Sequence, residues 1–205
     1  MKSLLILFAI LPYFSSFNEP RAWELVKDKD GIKVFSRHSE ISKFNDIKIE
    51  TDLVGSLSQL AAIIYDVEKY PEWAYATKTS VLIKKISNSE LIYYSEIKTP
   101  WPVSNRDFYA HCKIIMDSTS HSLQVISVGM KDYQPENKDL VRIPFSKGTW
   151  NISETSTNAM HLEYVLQLNP GGSVPAWVLN MFSSKGPMET FTNLRQKMKL
   201  LNKQN

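Results

Sequence analysis

A single cysteine, Cys112, stands in 205 residues. No disulfide can close within the chain, and neither a thiol redox pair nor a four-cysteine zinc site is available. The lone thiol reads as a small buried hydrophobe. Excess charge is also scarce. Lys+Arg 24 against Asp+Glu 21 leaves +3, too little for the clustered basic face that nucleic-acid binding needs. The four histidines, His38, His111, His121 and His161, are scattered, and there is no H-E-x-x-H, no G-x-S-x-G and no phosphate-cradling glycine loop. These spacings supply no catalytic set, no metal site and no cofactor site. Repeats and low-complexity linkers are missing too. With 43% hydrophobic and 22% charged residues, the chain suits one domain with a sizeable core.

Long apolar runs are lacking except at the start. Met1-Lys2 is followed by "SLLILFAILPYF", a basic start and short apolar stretch of the secretory-signal kind. It falls short of the roughly 20 residues that span a bilayer. Ser15, Ser16 and Phe17 give a poor cleavage pattern, so an uncleaved anchor is the alternative to a removed leader. The expectation is a leader or anchor over residues 1–20 and a domain over 21–205. The protein would then be exported to a bacterial periplasm or the extracellular space, in tethered or free form.

What is present alternates strongly. "WELVKDKDGIKVFSRHS" reads as two strands about an Asp30-Gly31 turn, and "KFNDIKIETDLVG" continues extended. Ser56 and Gln59 form a capping box, and Leu57, Leu60, Ala61 and Ile64 recur at helical spacing. Pro71 interrupts that pattern. Three hairpins follow, turning at Ser87–Ser89, Asp117–His121 and Thr155–Asn158, which builds an antiparallel sheet. After "NPGGS", Ser173 can cap a helix with Pro175 in its first turn. Val178, Met181, Met188, Phe191, Leu194, Met198 and Leu201 then form one apolar stripe. Pro187 cannot donate to Ser183, which predicts a kink or loosened turn at Gly186-Pro187; a true break between two helices is the alternative.

"PWPVSNRDFY" (Pro100–Tyr109), "NPGGSVPAWVLN" (Asn169–Asn180), "DGIKVFSR" (Asp30–Arg37) and "DVEKYPEW" (Asp66–Trp73) come in an order that resembles the START family of lipid-binding domains, from about Trp23 to Leu201. "NPGGS" alone is weak; four ordered motifs are specific. The resemblance implies an α+β helix-grip fold of the Bet v 1-like superfamily, with a curved antiparallel sheet wrapped around a long C-terminal helix. It also implies a tunnel for one lipid or sterol-like molecule, no catalysis, and a lid made of that helix and nearby loops. Partners would be a hydrophobic small molecule and, transiently, a membrane surface, with the chain as a monomer.

Within that frame the candidate ligand-binding residues on strands and connections are Trp73, Tyr94, Glu96, Trp101, Tyr109, His111 and Tyr164. Those on the covering helix are Val178, Met181, Phe182 and Met188, the methionines being adaptable to a variable apolar guest or ordinary core. Tyr94 and Glu96 share one face of their strand, Tyr109 and His111 one face of the next. Glu96 with His111 is a candidate polar spot, and Glu96 facing solvent is the alternative. Pro100 and Pro102 force a bend, where Trp101 lies near a tunnel entrance or simply packs. Arg106 and Asp107 tie that bend to neighbouring backbone. Two other classes stay open: a helix-grip enzyme of the cyclase or hydrolase type, using Tyr94, Glu96 and His111, and an envelope interaction module whose pocket is filled by its own side chains.

Overall fold

The structure is a computed structural model that describes residues 22–204; the leader expected over residues 1–20 lies outside them. β1 (Glu24–Lys29) and β2 (Ile32–His38) meet at Asp30-Gly31. Both turn residues have positive φ, 53° and 70°, as a two-residue hairpin turn requires. β3 (Asn45–Val54) leads to α1 (Leu57–Tyr65). The capping box forms there: the Ser56 hydroxyl accepts from Gln59 N at 3.2 Å, and Ser56 N donates to Gln59 Oε1 at 2.9 Å. Leu57, Leu60, Ile63 and Ile64 are buried. Pro71 sits in a 3-10 turn, Val67–Glu72, that ends this helical stretch.

The three expected hairpins follow as β4 (Thr77–Lys85) with β5 (Glu90–Ile97), β6 (Arg106–Asp117) with β7 (Ser122–Gly129), and β9 (Phe145–Ser156) with β10 (Ala159–Asn169). A two-residue β8 (Val141–Arg142) runs parallel to β6. The sheet order is β1-β2-β3-β10-β9-β7-β6-β5-β4. β10 therefore lies between β9, its hairpin partner, and β3, with Leu166 opposite Ile47 and Met160 opposite Leu53. α1 and the 3-10 turn carry the chain from β3 to β4 at the opposite edge. The result is a curved antiparallel sheet closed around a C-terminal helix, the helix-grip fold.

That helix has three parts: α2 (Ala176–Asn180), a wide turn at Met181–Lys185 with π-type bonding, and α3 (Gly186–Gln204). Gly186 N–H donates five residues back, to Met181 O. Pro187 has no N–H for Ser183 O, and a widened turn leaves room for its ring. The loosened turn expected at Gly186-Pro187 is present, and the helix does not break. Its start differs from expectation. Pro175 is itself the capping residue, with no side-chain cap bond, so Ser173 caps nothing: a helix begun there would need helical dihedrals at Val174, and a residue before proline avoids them.

Phe191, Leu194 and Met198 are buried at three- and four-residue spacing. Arg195 fastens this end of α3: it donates to Asp30 O, to Gly31 O at 2.8 Å and to Thr51 Oγ1 at 2.5 Å. Asn202 reaches Val54 O at 3.0 Å, and Lys197 pairs with Glu72 at 2.6 Å.

Candidate functional site: a cavity between sheet and helix

The concave face of the sheet does not close fully on the helix. Between them lies a cavity of about 550 Å³. Alternation decides which side chains reach it. On β5 they are Tyr93, Ser95 and Ile97; on β6, Arg106, Phe108 and Cys112; on β7, Val125 and Ser127; on β10, Tyr164, Leu166 and Leu168. Ile64, Tyr70, Trp73 and Trp150 form an aromatic floor with Phe191, and Val178, Leu179, Phe182 and Ser183 face it from the covering helix. The floor rings pack edge-on or tilted, Tyr70 to Trp73 at 5.2 Å, Tyr70 to Tyr93 at 5.5 Å and Trp150 to Phe191 at 5.5 Å. A depression of about 700 Å³ between α1 and β6 is more open to solvent.

Serine, threonine and asparagine side chains also reach the wall, and several are partnered. Tyr93 Oη and Ser127 Oγ are 3.1 Å apart, and Ser95 donates to Ser80 at 2.9 Å. Burial holds the hydroxyls of Tyr70, Tyr93 and Tyr164 in their neutral form, their pKa values raised from the usual 10.0. It also pushes the Cys112 thiol up to about 12. The Trp73 indole N–H is buried with no acceptor. Two cations line the cavity, Arg106 and Lys43, and neither Asp nor Glu does. Arg106 is 4% exposed. It donates to Ser104 O and, at 3.5 Å, to Ser173 O. Among the described residues no carboxylate lies within 4.0 Å of it, and burial lowers its pKa.

Asp107, its neighbour, points to the other face of the sheet. Its oxygens receive Arg142 Nε at 2.9 Å and Nη2 at 3.0 Å, with both side chains 2% exposed. Arg142 also donates to Lys131 O at 2.8 Å and Gln134 O at 3.0 Å, which pins the 130–140 connection down.

Of the residues anticipated from sequence, Trp73, Tyr164, Val178 and Phe182 line the cavity together. Tyr94, Glu96, Tyr109 and His111 do not. Tyr94 lies opposite Tyr109, and both alternate with the inward residues Tyr93, Ser95 and Phe108, so all four sit on the outer face of the sheet. Glu96 and His111 are not paired either, because Glu96 is opposite Asp107 and His111 opposite Ile92. Glu96 binds Lys78 at 2.9 Å and Asn105 at 2.8 Å, and its pKa is lowered mainly by the Lys78 bond. His111 Nε2 meets Glu90 at 2.6 Å.

Met181 and Met188 are also outside the lining. Phe182, four residues after Val178, shares its helix face and lines the cavity, and Met181 does not. Trp101 is 90% exposed. Sequence reasoning missed Arg106 as a wall residue, although its parity with Phe108 and Cys112 was a visible signal.

Registers place Arg106, Ile97, Asn45, Leu168 and Ser146 at one end of the sheet. The connections at that end carry Ile41 (57% exposed), Trp101, and Trp177 on α2 (49%).

A model of the START domain matches residues 19–204. An uncharacterized protein of Pseudomonas aeruginosa is 29% identical over 174 residues, 84% of this chain and 85% of that protein. Phosphatidylcholine transfer protein of Mus musculus is 25% identical over 169 residues, covering 80% and 78%. The crystal structure of a STAR-related lipid transfer protein (fragment 25–204) from Xanthomonas axonopodis aligns with a TM-score of 0.78 and 30% identity, over 86% of this chain and 98% of that one.

Proposed function

The chain belongs to the START domain family, and on that premise we propose that it binds one lipid-like molecule in the cavity under its C-terminal helix and carries it between membranes without chemical change. The observation that carries this is the aromatic-lined cavity of about 550 Å³ between sheet and helix. With roughly 30 Å³ per water-sized group, it holds on the order of 18 heavy atoms, one long chain at a time. At about 0.8 kcal/mol per methylene withdrawn from water, a ten-methylene chain gains roughly 8 kcal/mol against water and close to nothing against a bilayer. A carrier needs that balance to load and to release.

A catalytic role has less support. The wall residues include no histidine, aspartate or glutamate, and the one thiol there is kept protonated. The residues Tyr94, Glu96 and His111, considered for acid-base work, face away from the cavity. A module filled by its own side chains is disfavoured by the open volume itself.

Ile41, Trp101 and Trp177, exposed around the cavity end, fit transient insertion into a membrane surface. Trp101→Ala should slow lipid transfer between vesicles several-fold and leave equilibrium loading unchanged; equal transfer rates for the two proteins would remove Trp101 from the docking surface. Export as a monomer, free or tethered, completes the proposal. It is supported by the basic, apolar start of the sequence and checked by the mass and cell fraction of the mature protein. The central test is native mass spectrometry of the purified chain with extraction of what it holds. A lipid at one per chain is expected, and a chain that neither retains nor takes up any lipid would overturn the carrier.

A further inference from the structure

The charge of the cavity wall is one-sided. A guanidinium offers five N–H donors, and Arg106 uses two of them on backbone carbonyls, one at the long distance of 3.5 Å. It is 4% exposed, it faces the cavity, and no aspartate or glutamate lines the same space. The adjacent carboxylate, Asp107, is committed to Arg142 on the opposite face. A buried cation without a counter-charge is costly, so the site favours an occupant that supplies one. Lys43, exposed on the β2–β3 connection, adds a second positive charge at the cavity boundary. Ser42 beside it donates to Leu168 O at 3.2 Å, so Lys43 belongs to the same end of the sheet as Arg106. Farther from that end the lining includes the rings of Trp73, Trp150 and Phe191.

The geometry points to an anionic single-chain amphiphile as the ligand, with its oxyanion head, carboxylate or phosphate, on Arg106 and its chain on the aromatic floor. This rests on the carrier function proposed above and names the ligand class. A planar guanidinium matches either oxyanion through two parallel hydrogen bonds, so a free fatty acid and a lysophosphatidic acid share the required chemistry. Desolvation lowers the pKa of Arg106, in keeping with a counter-ion that arrives with the ligand.

The test uses the delipidated full chain and native mass spectrometry under competition among oleic acid, oleoyl lysophosphatidic acid, oleyl alcohol and inorganic phosphate. At least one of the two acids is expected to be retained tenfold or more over the alcohol, and millimolar phosphate alone should displace neither. Which acid prevails identifies the head as carboxylate or phosphate. Arg106→Gln should bring acid and alcohol within about twofold while still binding the alcohol, which shows an intact cavity; Arg106→Lys should restore part of the preference. If the wild-type chain holds alcohol as well as both acids, the anionic ligand is wrong and the carrier stands, whether or not the Gln variant folds. Retention of none of the amphiphiles overturns the carrier itself. Displacement by phosphate alone overturns the amphiphile in favour of a free oxyanion.

Discussion

Asp107 and Arg142 form a bidentate pair with side chains only 2% exposed, and such pairs are most sensitive to losing one member. Asp107→Ala leaves a buried guanidinium without its charge partner, a loss of about 3–5 kcal/mol that a urea midpoint will register. Cys112 makes a second residue-scale prediction. Burial moves its pKa from the usual 9.0 to about 12, so at pH 8 the reactive thiolate is about a thousandfold scarcer. Iodoacetamide should leave the native thiol unmodified over a period that fully labels the unfolded chain. Fast native labelling would show that water reaches the cavity wall. At this scale the sequence was half legible. Alternation along β5 and β6 separates two faces, but nothing in "LIYYSEIK" says which one is concave, since both carry a tyrosine. Of the two readings open for Glu96, the structure places it on the outer face with Lys78 and Asn105. The aliphatic residues of β6, with Arg106 in their register, were the better guide.

Single elements were read more faithfully than single residues. The capping box of α1, the Asp30-Gly31 turn and the loosened helix at Gly186-Pro187 all rest on local chemistry that acts within five residues, and each is present. The stripe beyond that point was legible too, since Phe191, Leu194 and Met198 are buried as it requires; ahead of it Phe182, and not Met181, lines the cavity. Gly186 has a second role there. A β-carbon added to it would stand 2.9 Å from Tyr75 Cδ1, and Tyr75 itself packs against Phe182 at 5.6 Å. Alanine normally gains about 0.5–1 kcal/mol over glycine inside a helix, while forced overpacking costs about 1–3 kcal/mol. Gly186→Ala should therefore destabilise, and the loss should concentrate in residues 176–185. Amide exchange there should accelerate while α3 beyond Arg195 stays protected. Uniform slowing would show that helix propensity outweighs the contact.

At the scale of the whole molecule, stability should fall off at both ends of the pH range. Tyr70, Tyr93, Tyr164 and Cys112 all have pKa values raised by burial. Above about pH 9–10 the unfolded chain releases these protons while the folded chain keeps them, so the unfolded state binds fewer protons and stability drops as pH rises. Glu96 has the opposite sign. Lys78 holds its pKa below the usual 4.5, and its contribution disappears as pH falls through that lowered value. Urea midpoints should form a plateau from about pH 5 to 9 with an alkaline decline steeper than the acid one. The pairing of β3 with β10 was the least legible feature of all, because residues more than a hundred positions apart leave no local trace of their contact.

That pairing also governs how the protein comes into being. A growing polypeptide can zip β1 to β3 and β4 to β7 as soon as each emerges, yet these two groups have no shared edge until residues 159–169 arrive to bridge them. Until translation is nearly finished the nascent chain exposes unsatisfied strand rims, a vulnerable interval in which holdase chaperones would find their client.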